Sequence, residues 1–341
     1  MKQRKILAII LSALMLLSFF AVTGCDKKDD GQPTTLPSAS TSEGTAPEES
    51  KTEPAPSDSE GTEKPDAAIK VTDMAGHEIT LDKPAEKVVA LTPSDCEILY
   101  AIGAGDKLVG RGEYCDYPAE VQNVPSVQSG KNTNIEEILA LAPQVLIMST
   151  MSQTEEQVAQ LEKAGVRVVV SDAHDIEGVY EAIRLIGVVM GKNDEAEKLV
   201  TDMKASFADL AEKAGSSEEK KSVYFEVSPL QYGLWTAGEG TFMDEVTNLL
   251  GLKNCFSDVK AWGEISEEQV LERNPDYIVT ITMYFGEGPR PEEEIMARKG
   301  WENVTAVKNK TILLLPNNEL SRPGPRLVDG ARLLFEFVYG K

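Results

Sequence analysis

The sequence predicts an α/β protein: two Rossmann-like lobes bridged by one long rigid α-helix, with a ligand cleft between the lobes. Two observations lead there. Short apolar runs alternate with longer amphipathic runs in each half of the folded region, the pattern of parallel βα units. Between the halves lies 193–214, NDEAEKLVTDMKASFADLAEKA, with no Gly or Pro inside it. Its Ala196, Leu199, Val200, Met203, Phe207, Leu210 and Ala211 recur at helical spacing. Asn193 or Asp194 suits the N-cap, Glu195 and Glu197 suit the positive end of the helix dipole, and Gly215 suits the stop. At about 1.5 Å per residue the rod is roughly 33 Å long. Periodicity alone leaves open whether this helix bridges two lobes or packs inside one larger α/β domain.

The chain has 341 residues, enough for two lobes behind a non-globular front end. Lys2, Arg4 and Lys5 precede an apolar run over 6–22, and Val22-Thr23-Gly24-Cys25 follows. Residues 1–24 therefore read as an export signal. The tetrapeptide resembles a bacterial lipobox, which implies cleavage before Cys25 and lipidation of its sulfur; the alternative is an uncleaved anchor. Either way the remainder is expected outside the cytoplasm on a membrane tether. Residues 25–66 are rich in Pro, Ser, Thr, Gly and Glu and hold almost no large apolar side chains, so a disordered linker is expected.

The first lobe, 67–192, opens with a hairpin of 69–72 and 78–81 around Ala75-Gly76. Strands follow at 87–91 (KVVAL), 107–110, 144–148 (QVLIM) and 166–170. Helices are expected at 95–102, capped by Thr92-Pro93-Ser94, and at 134–141, 154–164 and 176–190. The bridging helix takes 193–215. The second lobe, 216–341, repeats the alternation with strands at 222–227, 277–282 and 311–315 and helices at 241–250, 266–273 and 325–339. In such sheets ligands bind beyond the carboxyl ends of the strands. The loops there include 92–95, 114–118, 149–152, 173–175, 229–235, 283–286 and 317–326. Several are aromatic in a chain that is only 6% aromatic, which marks them as candidate pocket walls.

A net charge of −22 argues against nucleic acid as a partner. Four Cys and two His, with no CxxC spacing, give no zinc cluster, and no metal site or resident cofactor is expected. The chain carries no GxSxG elbow, HExxH or P-loop, so no enzyme activity is expected. An extracellular surface enzyme or adhesin stands as the reading from another class.

Four runs carry a family resemblance: EYCDYP at 113–118, NIEEILALAPQVLI at 134–147, AWGEISEEQVLERNPDYIV at 261–279 and ELSRPGPRL at 319–327. With them, residues 71–339 resemble the periplasmic-binding-protein family that serves metal-chelate ABC importers of cobalamin, ferric siderophores and haem, most closely its cobalamin-binding members. The resemblance implies two α/β lobes bridged by a long helix. It also implies an extracytoplasmic monomer that delivers a small-molecule ligand to transmembrane permease subunits. Tyr114 and Trp262 fall on pocket aromatics, and Arg322 on a pocket arginine near the ligand's edge. Gln128 stands where the cobalamin pattern has a second tryptophan, and Asn318 where it has an aspartate. Both departures weaken the case for intact cobalamin. Tyr232 and Trp235 are candidates for the second lobe's wall, without a choice between them. The implied ligand is a cobalt corrinoid, cobalamin or cobinamide; the alternative is a ferric siderophore or haem. Aromatic side chains suit the faces of such a ring, and Arg322 suits rim carbonyls or a phosphate. Glu136 and Glu268 match two family glutamates, one per lobe, that pair with permease arginines; a carboxylate in a first helical turn is also favoured in its own right.

His174 reads as a surface or capping residue or, alternatively, a metal ligand at the cleft. His77 in the opening hairpin reads as structural. Cys96, Cys115 and Cys255 leave an odd thiol even if two pair outside the cytoplasm. Cys115, inside the tyrosine motif, is open to a packing role or to ligand contact.

Overall fold

The computed structural model describes residues 68–150, 154–215, 220–281 and 288–340. The leader, the linker with Cys25, and Tyr284 and Phe285 lie outside the described residues. The fold begins with an antiparallel hairpin, β1 (Ile69–Thr72) and β2 (Glu78–Leu81). Its turn is held by buried Asp73, whose Oδ1 accepts the amides of Ala75 (3.0 Å) and His77 (2.8 Å). Asp73 Oδ2 accepts from Val170 N (3.0 Å), tying the hairpin to the adjacent sheet, and meets His77 Nδ1 (3.1 Å).

The first lobe's sheet contains β3 (Val88–Ala90), β4 (Leu108–Gly112), β5 (Ser126–Val127), β6 (Val145–Met148) and β7 (Arg167–Val170). All its pairings are parallel, in the order β5-β4-β3-β6-β7. Strands this apolar require cover on both faces. Cover comes from α1 (Pro93–Ala101), α2 (Ile135–Ala140), α3 (Glu155–Lys163) and α4 (Ile176–Met190). Thr154 closes a capping box with Gln157 at the start of α3.

Next comes α5, Asn193–Ala214, over the span its periodicity predicts. Its start differs from the sequence reading: Lys192 is the N-cap and no side chain caps it, so neither Asn193 nor Asp194 does so. The physical reason is the tight corner from α4. Gly191 takes φ +66°, and Lys192 N bonds Gly187 O at 2.7 Å, so the first turn grows directly from the preceding helix. Ala196, Val200, Met203, Phe207 and Leu210 are buried. They join one apolar core that runs from the hairpin and α4 into the second lobe.

The second lobe contains β8 (Ser222–Glu226), β9 (Leu234–Ala237), α6 (Phe242–Leu249), β10 (Lys253–Asn254), β11 (Trp262–Ile265), α7 (Glu267–Arg273) and β12 (Tyr277–Thr280). After these come α8 (Pro291–Met296), α9 (Thr305–Asn309), β13 (Ile312–Leu314), α10 (Asn317–Ser321) and α11 (Leu327–Tyr339). Its parallel sheet has the order β10-β8-β12-β13. Helix α5 packs on α4 of the first lobe and on α11 and α6 of the second. Several elements escape the sequence reading, among them the short helices α8, α9 and α10 and four short strands. Strands β9 and β11 pair as a separate antiparallel ribbon, and β5 and β10 are two-residue edge strands.

Candidate functional site

In the first lobe, β4 ends at Gly112, where a Cβ would fall 2.2 Å from Leu91 O; only glycine permits that approach. The chain then turns into the loop 113–118. Buried Arg111 holds this loop from beneath, its Nη1 donating to Gly112 O (3.2 Å) and Cys115 O (3.0 Å). Its Nε donates to Val124 O (3.2 Å) and its Nη2 to Gln122 Oε1 (3.2 Å). The loop is anchored, yet Tyr114 stands 70% exposed on it, far more than a packed tyrosine would be. Cys115, by contrast, is fully buried beneath it.

In the second lobe the ribbon supplies the matching aromatics. The register sets Trp262 opposite Ala237 and Glu264 opposite Trp235. Directly opposed residues share a face, so Trp235 and Trp262 lie diagonally on one side of the ribbon. That side is outward: each tryptophan is 40% exposed, while Leu234 and Ile265 on the other side are buried. Trp262 is set edge-on against buried Phe242, with ring centres 5.8 Å apart. Behind the ribbon, Gly238 passes so close to Val259 O that a Cβ would lie 2.0 Å from it. Of the two candidates in 229–235, Trp235 shares a face with Trp262; Tyr232 is 77% exposed on the one-turn helix just before β9.

Segment 316–327 ties the two halves together. At one end Asn317 Nδ2 donates to Ile281 O (2.7 Å), just beyond β12. At the other, Arg322 Nη1 meets Asp116 Oδ1 (2.6 Å) and Glu97 Oε1 (3.1 Å), and its Nη2 donates to Tyr114 O (3.3 Å). Arg326 forks onto both oxygens of Glu97 (2.9 and 2.6 Å), reaches Glu319 (3.0 Å) and lies 4.1 Å above the Tyr117 ring. Asn318 Nδ2 donates to Asp116 Oδ2 (3.3 Å). Arg322, which the family resemblance places near a ligand's edge, is held here by two carboxylates. Burial pushes Asp116 up, but the hydrogen bond and charge of Arg322 outweigh it and hold the carboxyl below its usual range. Burial likewise opposes charge on Arg326, and the bonds it donates to Glu97 more than offset this.

Gln128 stands exposed just past β5, its amide reaching Glu137 Oε2 (3.4 Å), apart from this network. Asp95, at the start of α1, is fully buried. Burial pushes its carboxyl up to about 7, against hydrogen bonds from Thr92 and Ser171. His174 is exposed and 3.7 Å from Asp172. Among the described residues no group of three His, Cys, Asp or Glu could hold a metal ion.

Glu136 and Glu268 occupy equivalent places. Asn134 caps α2 by accepting from Glu137 N (3.2 Å), and Ser266 caps α7 by accepting from Gln269 N (3.3 Å). In each first turn the neighbouring glutamate has a partner: exposed Glu137 Oε2 accepts from the backbone N–H of Gln128 (3.4 Å), and half-buried Glu267 Oε2 accepts from Trp301 Nε1 (2.8 Å). The other, Glu136 or Glu268, lies on the exposed side. Backbone hydrogen bonding at the helix start, then Ser266, holds the Glu268 carboxyl low.

The sequence reading missed Glu97 and weighed Asp116 only as part of a motif. A glutamate inside the otherwise apolar run CEILYAI was the available signal, because a buried carboxylate demands a cation.

A model of the periplasmic binding protein family matches residues 88–319. An uncharacterized ABC transporter substrate-binding lipoprotein of Bacillus subtilis strain 168, YvrC, is 36% identical over 276 residues, 80% of this chain and 85% of that one. The vitamin B12-binding protein of Salmonella paratyphi A is 29% identical over 252 residues, 73% of this chain and 89% of its own. Among solved structures, a possible iron-binding periplasmic solute-binding protein from Staphylococcus epidermidis superposes with a TM-score of 0.65 at 31% identity. That match covers 75% of this chain and all of the other.

Proposed function

This chain belongs to the periplasmic binding protein family, and from that premise we propose that it captures a corrinoid outside the cytoplasm and delivers it to an ABC-importer permease. The observation that carries the ligand is the pair Trp235 and Trp262 on one outward face of the ribbon. A corrinoid is a wide flat ring, apolar on its faces and lined with amides at its rim. Two indoles on one side, with Tyr114 from the first lobe, suit those faces. The names of the Salmonella and B. subtilis relatives agree with a vitamin B12-type cargo and with a lipid-anchored substrate-binding component. Cys25 is the residue that would carry the lipid.

Arg322 bears on specificity. Its guanidinium is balanced by Asp116 and Glu97, so a neutral rim amide adds to the network without disturbing it. Gln128 and Asn318 replace bulk and charge with amides, which suits an incomplete corrinoid such as cobinamide as well as cobalamin.

A second reading, an iron chelate or haem, draws on the same arginine. An anionic chelate edge would compete with Asp116 for Arg322, and the S. epidermidis protein is described as possibly iron-binding. Titration calorimetry with cobalamin, cobinamide, haem and a ferric hydroxamate separates the readings. One-to-one binding of a corrinoid, with no heat from the iron compounds, is expected. Binding of haem or the ferric chelate alone would replace the corrinoid reading with the second one.

A further inference from the structure

The outward face of the ribbon carries a carboxylate beside its two indoles. Glu264 stands directly opposite Trp235 in the register and two residues after Trp262 on the same strand. Opposed residues lie about 5 Å apart and second neighbours along a strand about 7 Å apart, so the carboxylate borders both rings. Burial along β11 agrees: Trp262 and Glu264 are exposed, and Ile265 is buried. Glu264 Oε1 leans over the turn that leads into β9, 3.6 Å from where a Cβ on Gly233 would lie and next in sequence to exposed Tyr232. Among the described residues its side chain has no ion-pair or hydrogen-bond partner. The charges on segment 316–327 do not offset it, because Arg322 and Arg326 are already met by Glu97, Asp116 and Glu319.

We propose that Glu264 sets selectivity at the tryptophan face, accepting hydrogen bonds from an amide-bearing or cationic ligand edge and turning away an anionic one. The proposal rests on the reading of Trp235 and Trp262 as a ligand wall. An ionised carboxylate can only accept hydrogen bonds. On the open ribbon, water supplies the donors. A flat ring laid over the indoles displaces that water, and the carboxylate then needs a donor from the ligand, since a desolvated and unpaired charge is costly. A carboxamide N–H or a cation at the rim meets that need. A carboxylate or phosphate at the rim brings like charge into a site where solvent no longer screens it. Discrimination by a polar group left unpaired is sharper than discrimination by apolar fit.

The test begins without ligand. The chain has three tryptophans and Trp301 is fully buried, so quencher-accessible fluorescence comes from Trp235 and Trp262. Iodide, an anion, and acrylamide, which is neutral, are compared at constant ionic strength on the full chain, on Glu264→Gln and on Glu212→Gln. The last removes the same charge from an exposed position on α5. In Glu264→Gln the ratio of iodide to acrylamide quenching should rise about 1.5- to 2-fold, the effect of one unit charge several ångströms away in water. In Glu212→Gln it should stay at the wild-type value. Titration calorimetry then follows cobinamide, whose rim carries amides, and haem, whose propionates are anionic. Glu264→Gln should bind cobinamide about 5-fold more weakly, the difference between a charge-assisted and a neutral hydrogen bond, and should bind haem more tightly than the wild type does. An unchanged quenching ratio would place Glu264 away from the indoles and overturn the proposal whatever the cargo. A raised ratio with wild-type affinity for cobinamide and haem alike would overturn it too. A wild type that binds haem and no cobinamide would remove the corrinoid reading by itself; anion rejection would then be upheld by tighter haem binding in Glu264→Gln and overturned by equal binding. If the wild type binds neither compound, the iodide ratio decides.

Discussion

Asp116 and Glu97 both hold Arg322, but their surroundings give them different weights. The Glu97 side chain is 2% exposed and serves two guanidiniums, those of Arg322 and Arg326. Replacing it with an amide leaves both cations partly buried beside a neutral group. Glu97→Gln should therefore cost about 2–4 kcal/mol, read from urea or thermal unfolding. The Asp116 side chain is 49% exposed, so solvent screens its pair, and Asp116→Asn should cost about 1 kcal/mol or less. Equal losses would contradict the ranking. The folded pKa of Asp116 is lowered, so its contribution is present above the unfolded value of about 3.9 and is lost as pH falls through the folded one. Asp95 has the opposite sign. Its folded carboxyl titrates at about 7, so between the unfolded value of about 3.9 and pH 7 the folded state holds a proton that the unfolded state has released. Stability then falls with rising pH across that window. Asp95→Asn should flatten the slope, gaining most at pH 8 and least at pH 4 in melting experiments. A variant with an unchanged slope would show that another group controls it.

At the scale of elements, the ribbon decides how the second lobe presents its aromatics. Trp262 packs edge-on against Phe242 and keeps part of its surface open to solvent. Trp262→Ala should weaken the bound ligand by about 2–4 kcal/mol if the indole is a central anchor, with little change in unfolding midpoint because 40% of it is already in solvent. An unchanged affinity, measured by calorimetry, would take Trp262 out of the ligand surface. The ribbon also shows where sequence reading stops. Helices α4 and α5 announce themselves through several turns of apolar spacing bounded by Gly191 and Gly215, and both have the predicted limits. The core strands KVVAL and QVLIM are apolar enough to stand out. Strands β9 and β11 are four residues each, with Gly263 inside one of them and 24 residues between them, so neither has a period to detect. Their pairing exists only in three dimensions. The Glu97–Arg322 pair is illegible for the same reason, with partners 225 positions apart.

For the whole molecule, the remaining surface question is how two lobes meet a permease. Glu136 lies in the first turn of α2 in the first lobe and Glu268 in the first turn of α7 in the second, each beside a glutamate that bonds a neighbouring segment. This division of labour matters for a test. Helix starts favour carboxylates, but capping here is supplied by Asn134 and by the Ser266–Gln269 box, and Glu137 and Glu267 remain in each first turn. Removing Glu136 and Glu268 therefore takes away exposed charge without opening either cap, and surface charges of this kind contribute little to folding. Neither belongs to the aromatic ribbon or the Arg322 network, so ligand affinity should hold. Charges at the rim of an interface act on orientation and association rate. The double variant Glu136→Ala, Glu268→Ala should thus melt normally and bind ligand normally while uptake falls at limiting protein concentration, more steeply in low salt. Glu137→Ala with Glu267→Ala is the matched control: it removes the same charge from the same turns, but breaks the bonds to Gln128 and Trp301, so it should lower the melting point with a smaller effect on uptake per folded molecule. If the first pair leaves uptake untouched, those two carboxylates are helix-start residues alone and the permease is met elsewhere on the lobes.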